Sequence, residues 1–174
     1  YPVVTTTWSA WRERHPQTKV LSIETGFARD YTPGRPYGTY FNSPDLMFPA
    51  LVPNDALAPK DYVFALRDAG IDKAWSLALF DGGAVVNGTL AGRDIVLIGA
   101  AGSRTVRAYE SQGRQFTRNG DDLSTVTAQD ESWRAEEDAL IGPNGARLPR
   151  LSGHIAYWFA FNNYLRDAEV VTAP

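Results

Sequence analysis

Hydrophobic positions along the chain fall into two kinds of spacing, helical near the ends and strand-like in between. Residues 5 to 15 place Trp8 and Trp11 three apart, so both lie on one face of a short helix; threonines precede it as N-cap candidates and Pro16 stops it. Lys19 to Ile23 is β-branched and apolar and predicts a strand. From Asp61 onward, short β-favouring runs alternate with turn residues: Tyr62 to Arg67, Lys73 to Phe80, Ala84 to Asn87, Asp94 to Ile98, Thr105 to Tyr109 and Arg114 to Thr117. Asp81-Gly82-Gly83, Ala91-Gly92 and Gln112-Gly113 supply turns between them. Further strands are expected at Ser124 to Ala128 and near Trp133, followed by a loop over Gly142-Pro143-Asn144-Gly145. His154 to Leu165 reads as a second aromatic helix and Glu169 to Thr172 as a closing strand. The expected fold is α+β, mainly antiparallel sheet with short aromatic helices packed on it.

The two ends repeat each other at a constant offset of 150, with Trp8 on Trp158, Trp11 on Phe161, Thr18 on Ala168 and Val20 on Val170. Helix, stop and strand recur in one order. Between them, Gly26, Pro33, Gly34, Pro36 and Gly38 interleaved with Tyr31, Tyr37 and Tyr40 mark a long irregular stretch, and four prolines from Ser43 to Pro59 make an extended connection. Residues 1–56 therefore read as the tail of a first repeat unit, and 57–174 as a second, complete β-rich unit. On that reading the chain starts inside a repeat, whose missing part comes from upstream sequence or another chain. The opening at Tyr1, with no basic n-region or apolar h-region, implies that a leader has been removed or that sequence is missing upstream.

Composition narrows the function classes. The chain has 174 residues with a formal net charge of −3, which gives no basic field for nucleic acid. No run approaches the roughly 18 apolar residues of a membrane-spanning helix. Five Trp, eight Tyr and eight Phe supply ample core. With no cysteine, disulfides, thiolate nucleophiles and the common structural zinc sites are all excluded.

A family resemblance rests on specific residues. Thr6-Thr7-Trp8, Trp11, His15-Pro16, Thr18, Val20-Leu21-Ser22, Thr25-Gly26, Arg29-Asp30-Tyr31, Pro36-Tyr37 and Tyr40 form the densest part; Pro59-Lys60, Lys73-Ala74, Val85-Val86-Asn87, Gly92, Asp94 to Ile98, Trp133, Gly142-Pro143, Leu148 and Tyr157-Trp158-Phe159 follow in order. Together they resemble the domain-of-unknown-function family DUF3179. The resemblance implies an exported bacterial or archaeal protein, periplasmic or secreted. Many members carry a Cys-Pro-Leu-Cys segment, where this chain has Ile98-Gly99-Ala100-Ala101-Gly102, so this copy is degenerate and whatever chemistry that segment supports does not transfer.

Candidate sites are few. Arg29, Asp30, Tyr31, Tyr37 and Tyr40, with His15 nearby in sequence, could cradle an anionic or planar ligand by charge-assisted hydrogen bonds and stacking. The competing expectation is a loop that Arg29 and Asp30 tie down while its tyrosines cover the core. His15 and His154 do not occupy equivalent repeat positions, so no shared metal site is expected. Gly99 to Gly102 precedes a strand-like run rather than a helix, and reads as a hairpin turn, not a phosphate loop. Glu136-Glu137-Asp138 reads as a solvated charged face. Asn87-Gly88-Thr89 matches a glycosylation acceptor but reads as a turn. No Ser-His arrangement or nucleophile elbow is present. Trp8, Trp11, Tyr157, Trp158 and Phe159 are more aromatic surface than one core stripe requires, which points to a protein partner. The reading is thus a non-catalytic extracytoplasmic binding or assembly module, a subunit of a larger and possibly membrane-attached complex, with no cofactor and no transmembrane segment of its own. The alternative is a small-ligand-binding protein or enzyme using the loop from Arg29 to Tyr40.

Overall fold

The computed structural model describes residues 3–52 and 55–173. Contacts divide the chain into two units, one of residues 7–50 and the other of residues 1–6 with 51–174. Each is built differently.

In the smaller unit, α1 (Trp8–Arg14) is the only α-helix among the described residues. Thr7 caps it: extended backbone lets the Thr7 hydroxyl accept from the Ala10 amide, while Arg12 and Arg14 sit in the last turn where the helix dipole favours cations. Single 3-10 turns at Arg35–Tyr37 and Tyr40–Asn42 are the other elements. The strand expected over Lys19 to Ile23 does not form. β-branched residues favour a strand only where a neighbour completes the ladder, and no described residue pairs with these.

The larger unit holds β1 (Tyr62–Asp68), β2 (Ile71–Ser76), β3 (Ala84–Leu90), β4 (Arg93–Ala100), β5 (Thr105–Glu110), β6 (Thr117–Arg118), β7 (Thr125–Ala128), β8 (Glu131–Ala135), β9 (Ala139–Ile141), β10 (Arg147–Leu151), β11 (Gly153–Tyr157), α2 (Trp158–Tyr164) and β12 (Glu169–Val171). It is α+β with β dominating. Strands order β11-β1-β2-β12 in a smaller sheet and β3-β4-β5-β10-β9-β8-β7-β6 in a larger one. Pairing is antiparallel except for β12, which runs parallel to β2.

Apolar alternation sorts the core into layers. Phe64 and Leu66 of β1 and Trp75 of β2 face Ile95 and Leu97 of β4, while Val63, Ala65 and Ala74 face the opposite way onto Trp158 and Phe161 of α2. Successive strand residues point to opposite faces, so one strand feeds two cores. The same holds for β4, where Val96 and Ile98 join Tyr109, Phe116, Val126, Trp133, Leu140 and Leu148 inside the larger sheet. That is why Ile95 to Ile98 is continuously apolar rather than alternating. The larger sheet curls until β3 and β6 approach. The Asn87 side chain closes the gap, donating to the Phe116 carbonyl (2.8 Å) and accepting from the Phe116 amide (2.9 Å), and Arg118 donates to the Gly82 and Gly83 carbonyls.

Sequence expectations change in the larger unit too. Asn87-Gly88-Thr89 is not a turn but part of β3, paired with Val96, Ile95 and Asp94 of β4. His154 to Leu165 is not one helix but β11 followed by α2, because β11 pairs with β1 from Tyr62 opposite Tyr157 to Leu66 opposite Gly153. Lys73 to Phe80 ends as a strand at Ser76, whose hydroxyl caps a 3-10 turn over Leu77–Phe80. Arg114 to Thr117 yields a strand only at Thr117–Arg118, since Phe116 bonds a side chain instead of a ladder partner. β4 and β5 form the hairpin read from the sequence, but Gly99 and Ala100 still belong to β4, pairing with Val106 and Thr105, and the turn itself runs from Ala101 to Arg104.

Candidate functional site

Two regions bear on function: the exposed aromatic segment of the smaller unit and a cleft in the larger one. In residues 7–50 none of the side chains described is buried. Val20, Leu21, Ile23, Phe27, Phe41, Met47 and Phe48 are each more than half exposed, and Trp8 is 49% exposed. Burying an apolar side chain is worth about 1.5–3 kcal/mol. This segment therefore carries several side chains whose burial has not been realised within it.

The loop candidates are largely engaged with one another. Asp30 accepts from Arg35 Nε (2.9 Å) and from the Thr32 amide (2.9 Å). Its hydrogen bonds to Thr32, then that to Arg35, hold its carboxyl below the ordinary carboxylate range. Arg35, not Arg29, is the partner of Asp30. The Tyr31 hydroxyl lies 2.8 Å from Thr25 Oγ1. Tyr37 and Tyr40 each meet Phe41 edge-on, with ring centroids 5.4 and 5.7 Å apart. His15 packs on Trp11 at 4.1 Å between centroids, with its Nε2 unbonded, and Trp11 Nε1 donates to Thr18. None of these contacts brings His15 to Arg29, Asp30 or the tyrosines.

On the larger unit the aromatic candidates separate. Trp158 is fully buried under the smaller sheet, which removes it from any surface a partner touches. Tyr157 and Phe159 remain half-buried. Tyr157 stacks on Tyr62 at 4.4 Å, their hydroxyls 2.8 Å apart, and Arg104 lies 4.2 Å over the Tyr62 ring.

Tyr62 also lines a cleft of about 500 Å³ with Asp61, Ser76, Asp81, Ala101 and Thr172. Sequence reasoning missed it, because its residues come from the start of β1, the end of β2 and the turn after β4. Chemically it offers two carboxylates and three hydroxyls, those of Tyr62, Ser76 and Thr172, suited to hydrogen bonding a polar or cationic group. Asp61 already accepts from the Ala58 amide and Ser76 from the Ala78 amide. Among the described residues no three His, Asp or Glu side chains gather as a metal would need. His154 lies exposed on β11 rather than at a helix start.

Glu137 also departs from expectation. It bridges Arg107 and Arg150, with Arg150 only 5% exposed, so this acid is an internal counter-charge and not part of a solvated face. Burial lowers the Arg150 pKa, while Glu137 acts to raise it.

The family model described as Protein of unknown function (DUF3179) matches residues 1–168. The chain belongs to the DUF3179 family. No curated protein and no solved structure matches it. Within this DUF3179 chain, Ala101 of the cleft lies in the stretch where the resemblance implies a Cys-Pro-Leu-Cys segment, so the cleft here has an aliphatic wall at that point.

Proposed function

We propose that this DUF3179 chain is a non-catalytic assembly module of an extracytoplasmic protein complex, and that residues 7–50 meet the partner. The observation that carries the reading is the unburied apolar set of that segment, from Val20, Leu21 and Ile23 to Phe41 and Phe48. Exposed apolar surface of this density marks contact sites for other macromolecules. The larger unit, by contrast, buries its three tryptophans, Trp75, Trp133 and Trp158, and leaves Tyr164 as its one strongly exposed aromatic among the described residues. Placement outside the cytoplasm is supported by the family resemblance. The ligand-site alternative is less supported, because Asp30 and Tyr31 already bond within their own loop.

Native mass spectrometry on protein purified gently from its source, followed by denaturing mass, tests the proposal. The expected result is a native mass above that of the chain, resolving into a second polypeptide. A lone chain, with or without a small bound molecule, overturns it. Fractionation of the same cells checks the compartment, with the protein expected outside the cytoplasm.

A further inference from the structure

The exposed end of the smaller unit has a template within the larger one. α1 and α2 are both seven residues long, and each ends in the same backbone pattern. The His15 amide donates to Trp11 and the Thr18 amide to His15; at the equivalent places, the Leu165 amide donates to Phe161 and the Ala168 amide to Leu165. Cap torsions agree as well, φ −131° and ψ 65° at His15 against φ −124° and ψ 69° at Leu165. What differs is the surroundings. The Trp158 ring is buried by β1 and β2, the first two amides of α2 donate to the Asp61 and Pro59 carbonyls, and β12 pairs in parallel with β2. Trp8 is half exposed, and among the described residues no hydrogen bond reaches the Trp8 or Ser9 amide and no strand pairs with Lys19-Val20-Leu21, where Leu21 is 97% exposed.

We infer that residues 7–21 are a docking element that completes a second sheet unit of this same family, one that is open where α2 and β12 sit here. The inference rests on the assembly reading and names its partner. Trp8 and Trp11 cover one face of that sheet, and Lys19 to Leu21 add a parallel edge strand, the mode by which extended segments extend sheets. Charge separates the partner from a second copy of this chain. Here Lys73 of β2, buried, is met by Glu169 at 2.6 Å, the residue opposite it in the ladder. The residue equivalent to Glu169 is Lys19, so a β2 carrying lysine would face a like charge. A copy of this chain also has its own β12 on that edge. With the signs of the Lys73–Glu169 pair exchanged, the partner strand carries an acidic residue where β2 has Lys73.

Because the chain has no cysteine, Val20→Cys introduces a single thiol at an exposed position. The full-length variant is labelled with a thiol-specific photo-cross-linker, returned to membrane-free extract of its source, irradiated, and the joined peptide sequenced. The expected adduct lies on a β2-like strand of a DUF3179 sheet with an acidic residue opposite Lys19, and Lys19→Glu lowers its yield about tenfold through charge repulsion. An adduct on Ile71–Ser76 of a second copy overturns the inference, as does an adduct whose yield Lys19→Glu leaves unchanged. An adduct on a protein without such a sheet also overturns it, yet leaves the assembly reading standing. Absence of any adduct overturns both.

Discussion

Asn87 sits in the middle of β3 with its carboxamide engaged by both backbone groups of Phe116. Replacing it by alanine leaves a donor and an acceptor unmatched at the seam of the larger sheet. At about 1 kcal/mol for each lost bond, Asn87→Ala is expected to cost about 2 kcal/mol in urea unfolding with an unchanged m-value. Glu137 is the second single residue on which much depends. With Arg107 and Arg150 both held by it, Glu137→Gln leaves two poorly hydrated cations facing one another. The expected loss is about 3 kcal/mol, the low end for breaking a buried pair, since Glu137 is itself about one-third exposed. A smaller effect belongs to Asp30. Its folded pKa lies below its unfolded value, so its contribution to loop order is present above the ordinary carboxylate range and is lost as pH falls through the lower, folded value. The Thr32 amide resonance should titrate with a midpoint below that of an unstructured aspartate; an ordinary midpoint would refute the Asp30 contact.

At the scale of elements, the two helices make a controlled comparison. Their sequences share the Trp and aromatic positions, but only α2 has a sheet beneath it. Trp158→Ala should cost about 3–5 kcal/mol by opening a cavity, whereas Trp8→Ala should shift the stability of the isolated chain by no more than about 0.5 kcal/mol. Thermal unfolding of the two variants checks this, and equal losses would mean that Trp8 is packed in solution. Helix α1 was legible in the sequence from its Thr cap and Pro16 stop. The run from Lys19 to Ile23 was not, because strand propensity is conditional on a pairing partner and a single sequence does not reveal whether one exists. Similarly, the pattern from His154 to Leu165 has no Gly or Pro at the junction, so nothing local announces the change from β11 to α2. Pairing with β1 makes it.

Across the whole molecule, apolar residues are distributed unevenly between burial and exposure. The larger unit is expected to show slow amide exchange in β1, β2, β4 and β5, where both faces are covered, while residues 7–50 exchange close to the rate of open chain. Addition of the partner should slow exchange at Trp8 to Leu21. Protection of that segment in the isolated chain would count against its role as a docking surface. The candidate cleft is a product of this scale. Asp61, the pair Ser76 and Asp81, and Ala101 come from three separate stretches of the chain, and each is unremarkable in its local sequence, so no motif marks the place where β1, the end of β2 and the turn after β4 bring them together.

The sequence by itself determined many of the local choices: β1 to β5 with their glycine turns, the capped first helix, the helix-and-turn repeat at the two ends, and the family. These depend on side-chain shape and on spacing within a few residues, which the sequence states directly. Only the tertiary structure decided which aromatics are core and which are surface. Trp158 and Trp8 occupy the same place in the same motif, and the difference between them is the sheet that packs against one and not the other. Burial depends on what residues distant in the chain bring alongside, and so do the counter-charge role of Glu137 and the seam closed by Asn87.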